Sequence, residues 1–262
     1  MNSLKEQSCL QLLRDLIQDD PDLCCSEEEE FLMRFLRAKD FKVDQAFQSL
    51  KNYVEMRKGF PTTFYPSAVK STLESGMVNV LKHRDSDGRQ IFYFRTYLWN
   101  TKFQNADDVF IACTLILEEM LNCVDTQKNG VTFIHDLKGL GFSHCMTLGL
   151  PELKRIFRIK GGFPARFKKA HAVNPSTPFF ILNKLAYAFI PTKLHNRVTI
   201  YGKDMSALYE SIPKECLPKS LGGLLHDDDA IDHELMNRLM SRDEYFKTTS
   251  ALICNGSKRN KS

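Results

Sequence analysis

The sequence predicts an α/β fold, with a three-helix N-terminal unit ahead of a mostly parallel sheet covered by helices. Three observations predict it. Residues 1 to about 60 have helical periodicity throughout. From Val78 onward, short β-rich runs alternate with amphipathic segments of crossover length. Within that alternation lies one very apolar helical segment, Phe179 to Ile190, bounded by basic residues. The 262 residues suffice for one large domain and a smaller one. The expected division is a helical unit over 1–66, an α/β domain over 67–247 and a flexible basic tail over 248–262.

The first helix, Leu4 to Gln18, carries Leu10, Leu13, Leu16 and Ile17 as an apolar stripe and stops at Pro21. Ser26, three residues before Glu29, reads as a capping box, with Glu27 to Glu30 in the first turn where the helix dipole favours acids. Phe31, Phe35 and Leu36 form the apolar face of this second helix. A third, Val43 to Lys58, buries Phe47, Leu50 and Val54 and ends at Gly59. After Pro61 and Pro66, a short helix spans Ser67 to Ser75. Val78 to Leu81 and Gln90 to Arg95 then read as strands around the turn Asp85-Ser86-Asp87-Gly88. Asp107 to Cys123 has helical period, and Gly130 introduces the strand Val131 to Ile134. Pro151 to Lys160 is a helix, Ala170 to Val173 and Val198 to Tyr201 are strands, and Asp227 to Met240 is a last helix.

On the apolar segment, Phe179, Leu182, Leu185, Ala186 and Phe189 share one helical face, while Phe180, Ile181, Tyr187 and Ile190 lie off it. A helix apolar nearly all round is either buried in a core or touches something apolar outside. Lys193 and Arg197 follow it, and Arg166, Lys168 and Lys169 precede it. Cations at both ends are what a lid on an anionic membrane would carry.

Composition removes several classes. Hydrophobic content of 43% and charged content of 26% are ordinary for a soluble globular chain. A net charge of +4 is too mild for a nucleic-acid binder. The opening MNSLKEQSCLQLL predicts no signal peptide, and no run predicts a transmembrane helix. The eight cysteines contain no C-x-x-C spacing, so reduced cytosolic thiols are expected, with neither disulfides nor zinc. No phosphate-binding loop, dinucleotide fingerprint or nucleophile elbow occurs. Ser143-His144-Cys145 are sequence neighbours without an oxyanion loop. His226 and the acids through Glu234 read as a helix cap and solvated face before they read as metal ligands. No catalytic residue, metal or cofactor is therefore expected. His135 lies on a predicted strand at the parity of Val131 and Phe133, so it shares their face as a satisfied core residue or as the polar handle of a pocket.

Six fragments carry a family resemblance: F35-L-R-A-K-D-F41, D108-V-F110, T126-Q-K-N-G130, D136-L-K-G139, F163-P-A-R-F-K168 and L221-G-G223. Together, in order and spacing over about Phe31 to Tyr245, they resemble the CRAL-TRIO lipid-binding family, in the branch that carries tocopherol and retinaldehyde. The resemblance implies a CRAL-TRIO domain whose sheet floors an apolar cavity closed by a lid helix, here about Asn174 to Leu194. It implies cavity-lining roles for Phe110, Thr114, Leu117, Val131, His135 and Leu140. The same is implied for Phe163, Phe167, Ala170, Phe179, Leu185 and Phe189, and Phe133 and Leu182 join them by parity and helical spacing. It also implies phosphoinositide binding through Lys39, Arg166, Lys168, Lys193 and Arg197, with Gln48 where a further basic residue is found in that branch.

Departures limit the ligand. Leu117 stands where a serine faces tocopherol, and His135 stands where an acid lies near the retinoid end group. Tyr187 replaces the lysine of the K-P-F motif in the phosphatidylinositol-exchanging branch. The expectation is a monomeric, cytoplasmic, transiently membrane-associated carrier of a hydrophobic small molecule that partners phosphoinositide membranes and no nucleic acid. The alternatives are a phosphoinositide-reading signalling scaffold without exchanged cargo, and an α/β hydrolase using His135 or His144.

Overall fold

A computed structural model of the chain describes residues 2–60, 62–149, 162–187 and 196–256. The chain divides into two compact units. One comprises Met1–Ala68, Arg158–Ala165 and Arg242–Ser262, the other Val69–Phe157 and Arg166–Ser241.

The first unit contains α1 (Asn2–Gln18), α2 (Glu29–Ala38), α3 (Val43–Lys58) and, from the far end of the chain, α11 (Asp243–Gly256). Leu10, Leu13 and Ile17 of α1 are buried, as their spacing requires, together with Phe31, Phe35 and Leu36 of α2. The rings of Phe31, Phe35 and Tyr53 meet edge to face at 5.3–5.8 Å. Arg57, fully buried on α3, donates to Tyr53 Oη at 2.7 Å and to Ser250 Oγ of α11 at 2.8 Å, and its guanidinium lies 3.9 Å from the Phe64 ring. These contacts bind α11 into the unit. Thr248 to Gly256, expected as a loose tail, therefore continue a helix whose Phe246 and Ile253 are buried. Ser26 also acts differently from the expected capping box. Its hydroxyl accepts the Glu28 N–H at 3.3 Å, and α2 starts about two residues later than a Ser26 cap would place it, with Glu29 and Glu30 in its first turn.

The second unit is built on a five-stranded sheet in the order β1 (Val78–Val80), β2 (Gln90–Arg95), β3 (Val131–Asp136), β4 (Phe167–Val173), β5 (Val198–Ile200). The β1–β2 pair is antiparallel and the remaining pairs are parallel. The hairpin between β1 and β2 turns on Asp85, whose buried carboxylate accepts the Asp87 and Arg89 N–H groups and the Thr132 hydroxyl. α4 (Lys70–Glu74) precedes β1, α5 (Ala106–Met120), α6 (Val124–Asn129), α7 (Phe142–Thr147) and α8 (Thr177–Tyr187) lie between strands, and α9 (Ser206–Ser211) and α10 (His233–Ser241) follow β5. The helix expected over Asp107 to Cys123 is α5, which ends at Met120, and a separate α6 follows from Val124. The segment expected as a helix from Asp227 begins at His233, where Asp232 accepts the Leu235 N–H at 2.9 Å.

Strand alternation sorts the sheet into two faces. One bears Ile91, Tyr93, Ile134 and Val173 and is packed shut by Tyr201, Leu208, Ile212, Leu217 and Leu221. The other bears Phe92 and Phe94, Val131, Phe133 and His135, and Phe167, Ala170 and Ala172, set side by side by the parallel register. A hydrophobic core thus closes the first face, while the second keeps half-buried aromatic residues.

Candidate functional site

The second face is an aromatic floor. Phe133 sits 4.9 Å from the Phe92 ring and 5.3 Å from Phe167, and His135 sits 4.8 Å from Phe94, which in turn meets Trp99 at 6.3 Å. The opposite face of β3 is closed (Thr132, Ile134 and Asp136 are buried), yet Phe133 and His135 are only half-buried, as are Phe94, Phe167 and Ala170. Rings that remain partly accessible on the middle strands of a sheet border space and are not jammed into a core.

His135 introduces the polarity. Its Nε2 lies 2.9 Å from Thr96 Oγ1, and Thr96 is buried just beyond the end of β2. Burial pushes the His135 pKa down to about 4, so the ring is neutral at pH 7. The pair stands towards the carboxyl ends of β2 and β3, where open α/β sheets place ligands.

At the rim next to β4 the chain passes into α8. Asp136 Oδ1 accepts the Lys138 N–H at 3.0 Å and the Asn174 side-chain amide at 2.8 Å. Asn174 has φ +52°, a left-handed conformation that turns the chain from β4 into α8. Gly139, φ +76°, completes the D-L-K-G turn, and a Cβ there would stand 3.1 Å from that of Tyr97. Ser176 Oγ then donates to Leu140 C=O at 2.8 Å. Phe179 packs inward on the cluster of Leu137, Leu140 and Ala172, while Phe180 and Ile181 are 54% and 52% exposed. The first turns of α8 are therefore apolar on both sides. Asn174→Ala is expected to lower stability by about 2–3 kcal/mol, from left-handed strain plus one lost hydrogen bond, and Asn174→Gly by about 1 kcal/mol. Urea unfolding of the two variants measures the difference.

Basic residues gather at the amino-terminal edge of the sheet. Arg166 and Lys168 flank Phe167 at the start of β4, and Arg197, just before β5, donates to the Phe167 carbonyl. Lys169, by contrast, turns to the closed face, pairing with Asp87 at 3.4 Å and donating to Ser211 Oγ at 3.1 Å. Lys39 ends α2 in the helical unit, and burial lowers its pKa.

Among the expected lining residues, the structure brings together Val131, Phe133, His135, Phe167 and Ala170 on one face, with Leu140 and Phe179 at its rim. Phe110, Thr114 and Leu117 are buried along one side of α5, where the Thr114 hydroxyl is taken by the Phe110 carbonyl at 2.8 Å. Phe163 packs on Tyr53 in the helical unit at 6.3 Å. The side chains of Leu182 and Leu185, and all of Phe189 and Lys193, lie outside the described residues. Sequence reasoning missed Thr96, Phe94 and Asn174. The parity of Phe92 and Phe94 was a usable signal, whereas nothing local marks Thr96 as the partner of a histidine 39 positions away.

His144 offers no free base. Gly141 N–H donates to its Nδ1 and Nε2 lies 3.0 Å from Trp99 C=O, so the imidazole closes the first turn of α7. No three His, Cys, Asp or Glu side chains converge as metal ligands among the described residues. None of the described helices is long and apolar enough to cross a membrane.

The described arrangement is that of an α/β protein with a mostly parallel sheet, one closed face, one half-open aromatic face and a two-sided apolar helix at its rim. The chain belongs to the CRAL/TRIO domain family: that domain matches residues 74–223 and the CRAL/TRIO N-terminal domain matches residues 5–52. It is 33% identical over 243 residues to the human Alpha-tocopherol transfer protein-like, covering 91% of this chain and 71% of that protein. It is 30% identical to Clavesin-1 of Xenopus laevis, over 82% of this chain and 67% of that one. The crystal structure of Sfh5 shares the fold with a TM-score of 0.56 at 15% identity, over 83% of this chain and 81% of the other.

Proposed function

We propose that this protein is a non-enzymatic cytoplasmic carrier of a hydrophobic small molecule, loaded and released at phosphoinositide-containing membranes. The observation that carries this reading is the half-buried aromatic floor, Phe94, Phe133, His135 and Phe167, beneath a helix with Phe179 turned in and Phe180 and Ile181 turned out. Family membership and a relative named as tocopherol-transfer-like support it. Each buried CH₂ of a guest contributes about 0.8 kcal/mol, so a long chain is held tightly and leaves slowly while the helix is shut. A membrane that binds the outer apolar side of α8 supplies the differential affinity that favours the open state. Arg166, Lys168 and Arg197 at the amino-terminal edge of the sheet hold phosphoinositide phosphates, and Lys193 and, in the helical unit, Lys39 are assigned the same role.

The double variant Arg166→Ala/Lys168→Ala is expected to slow transfer to phosphoinositide vesicles at least about tenfold, while binding of detergent-delivered ligand stays unchanged. A fluorescent lipid-transfer assay with and without phosphoinositide in the acceptor vesicles reads both. Equal transfer rates in wild type and variant would remove the cations from the mechanism.

A further inference from the structure

The floor is apolar except where His135 interrupts it, and the state of that ring determines what kind of molecular end can lie against it. Thr96 is 1% exposed, and among the described residues its hydroxyl meets no hydrogen-bond partner besides His135 Nε2, 2.9 Å away. A buried hydroxyl places its proton on an acceptor, so Thr96 donates and Nε2 accepts. A neutral imidazole carries one proton, which then sits on Nδ1. Among the described residues Nδ1 makes no hydrogen bond, and the ring is half-buried on the aromatic floor. The ring does not recruit a second proton at neutral pH, because burial holds its pKa near 4.

We propose that Thr96 fixes the tautomer of His135 so that Nδ1–H donates a hydrogen bond to the bound molecule. The pair then selects neutral lipids that end in an oxygen acceptor: an aldehyde, ketone, ester or alcohol. This rests on the carrier reading and specifies its substrate class. A hydrocarbon end leaves the donor unpaired, and a carboxylate end meets a neutral ring and a desolvated aromatic wall with no charge to balance it. Thr96 acts as a positioning residue and His135 as the contact.

The test uses the full chain at pH 7 and four matched probes delivered from vesicles: hexadecanal, hexadecanol, hexadecanoic acid and hexadecane. Hexadecanal and hexadecanol are expected to bind about tenfold more tightly than the other two, the value of one buried hydrogen bond. In His135→Phe that preference should fall to less than about twofold with hexadecane binding retained. In Thr96→Val the advantage of the aldehyde, which only accepts, should shrink severalfold while the alcohol, which also donates, keeps its own. Long-range ¹H–¹⁵N spectra of the wild type read the tautomer without any variant, and a protonated Nδ1 with a bare Nε2 is expected. Equal affinity for all four probes, or a proton on Nε2, overturns the inference and leaves the carrier reading standing. Failure to bind any of the four overturns the carrier reading itself.

Discussion

Gly130→Ala is expected to lower stability by about 3 kcal/mol or more, and Tm by roughly 10 °C. Gly130 ends α6 with φ +93° and ψ −167°, a region open in practice to glycine alone. A Cβ built there would stand 2.4 Å from the Arg166 carbonyl oxygen and 2.9 Å from Lys168 Cγ. The carbonyl cannot retreat freely, since it accepts the Val131 N–H at 2.9 Å and so sets the β3–β4 register. The strain and the overlap are each worth about 1–3 kcal/mol. Denaturant unfolding followed by circular dichroism should show a lower midpoint at unchanged slope. The same variant displaces Arg166 and Lys168 from the sheet edge, so slower transfer to phosphoinositide vesicles should accompany the loss of stability. An alanine that costs under about 0.5 kcal/mol would show that the approach of β4 to Gly130 is looser than described.

Phe180→Asp/Ile181→Asp is expected to weaken vesicle binding between about tenfold and a hundredfold, with little change in folding stability. Both side chains are more than half exposed, so the fold gains little from them in water. Transferring their remaining apolar surface into an acyl boundary contributes about 1 kcal/mol each, and a carboxylate in that place adds a further penalty. At 1.4 kcal/mol per factor of ten, the sum gives that range. Vesicle co-sedimentation measures it, and Phe179→Asp supplies the contrast. That inward residue packs on Leu137, Leu140 and Ala172, so its replacement should impair folding or ligand retention before membrane affinity. Undiminished sedimentation of the double variant would place the membrane contact elsewhere.

How much of this was legible in sequence depends on the distance between partners. The floor was: Phe133 and His135 follow from strand parity, and helical spacing alone marks Phe179 as inward and Phe180 and Ile181 as outward. Thr126 and Gly130 were legible as a motif but not as a mechanism, because the Arg166 carbonyl that requires the glycine lies 36 positions on. The donor to His135 was invisible for the same reason. Lys169 was grouped with its neighbours as part of a basic cluster, yet strand alternation turns it to the closed face and into an ion pair with Asp87. The Ser26 pattern matched a capping box and formed a tighter local turn instead, a choice between two hydroxyl hydrogen bonds that composition does not decide. Short helices such as α7 lack the length for a periodic signal, and α7 is held by the His144 contacts to Gly141 and Trp99.

Native mass spectrometry of the full chain, purified from a eukaryotic cytosol and then incubated with vesicles of isotope-labelled lipid, tests the central claim most directly. The account predicts one neutral lipid per folded chain that is replaced by its labelled counterpart during incubation. A folded chain of bare polypeptide mass both before and after incubation would contradict it.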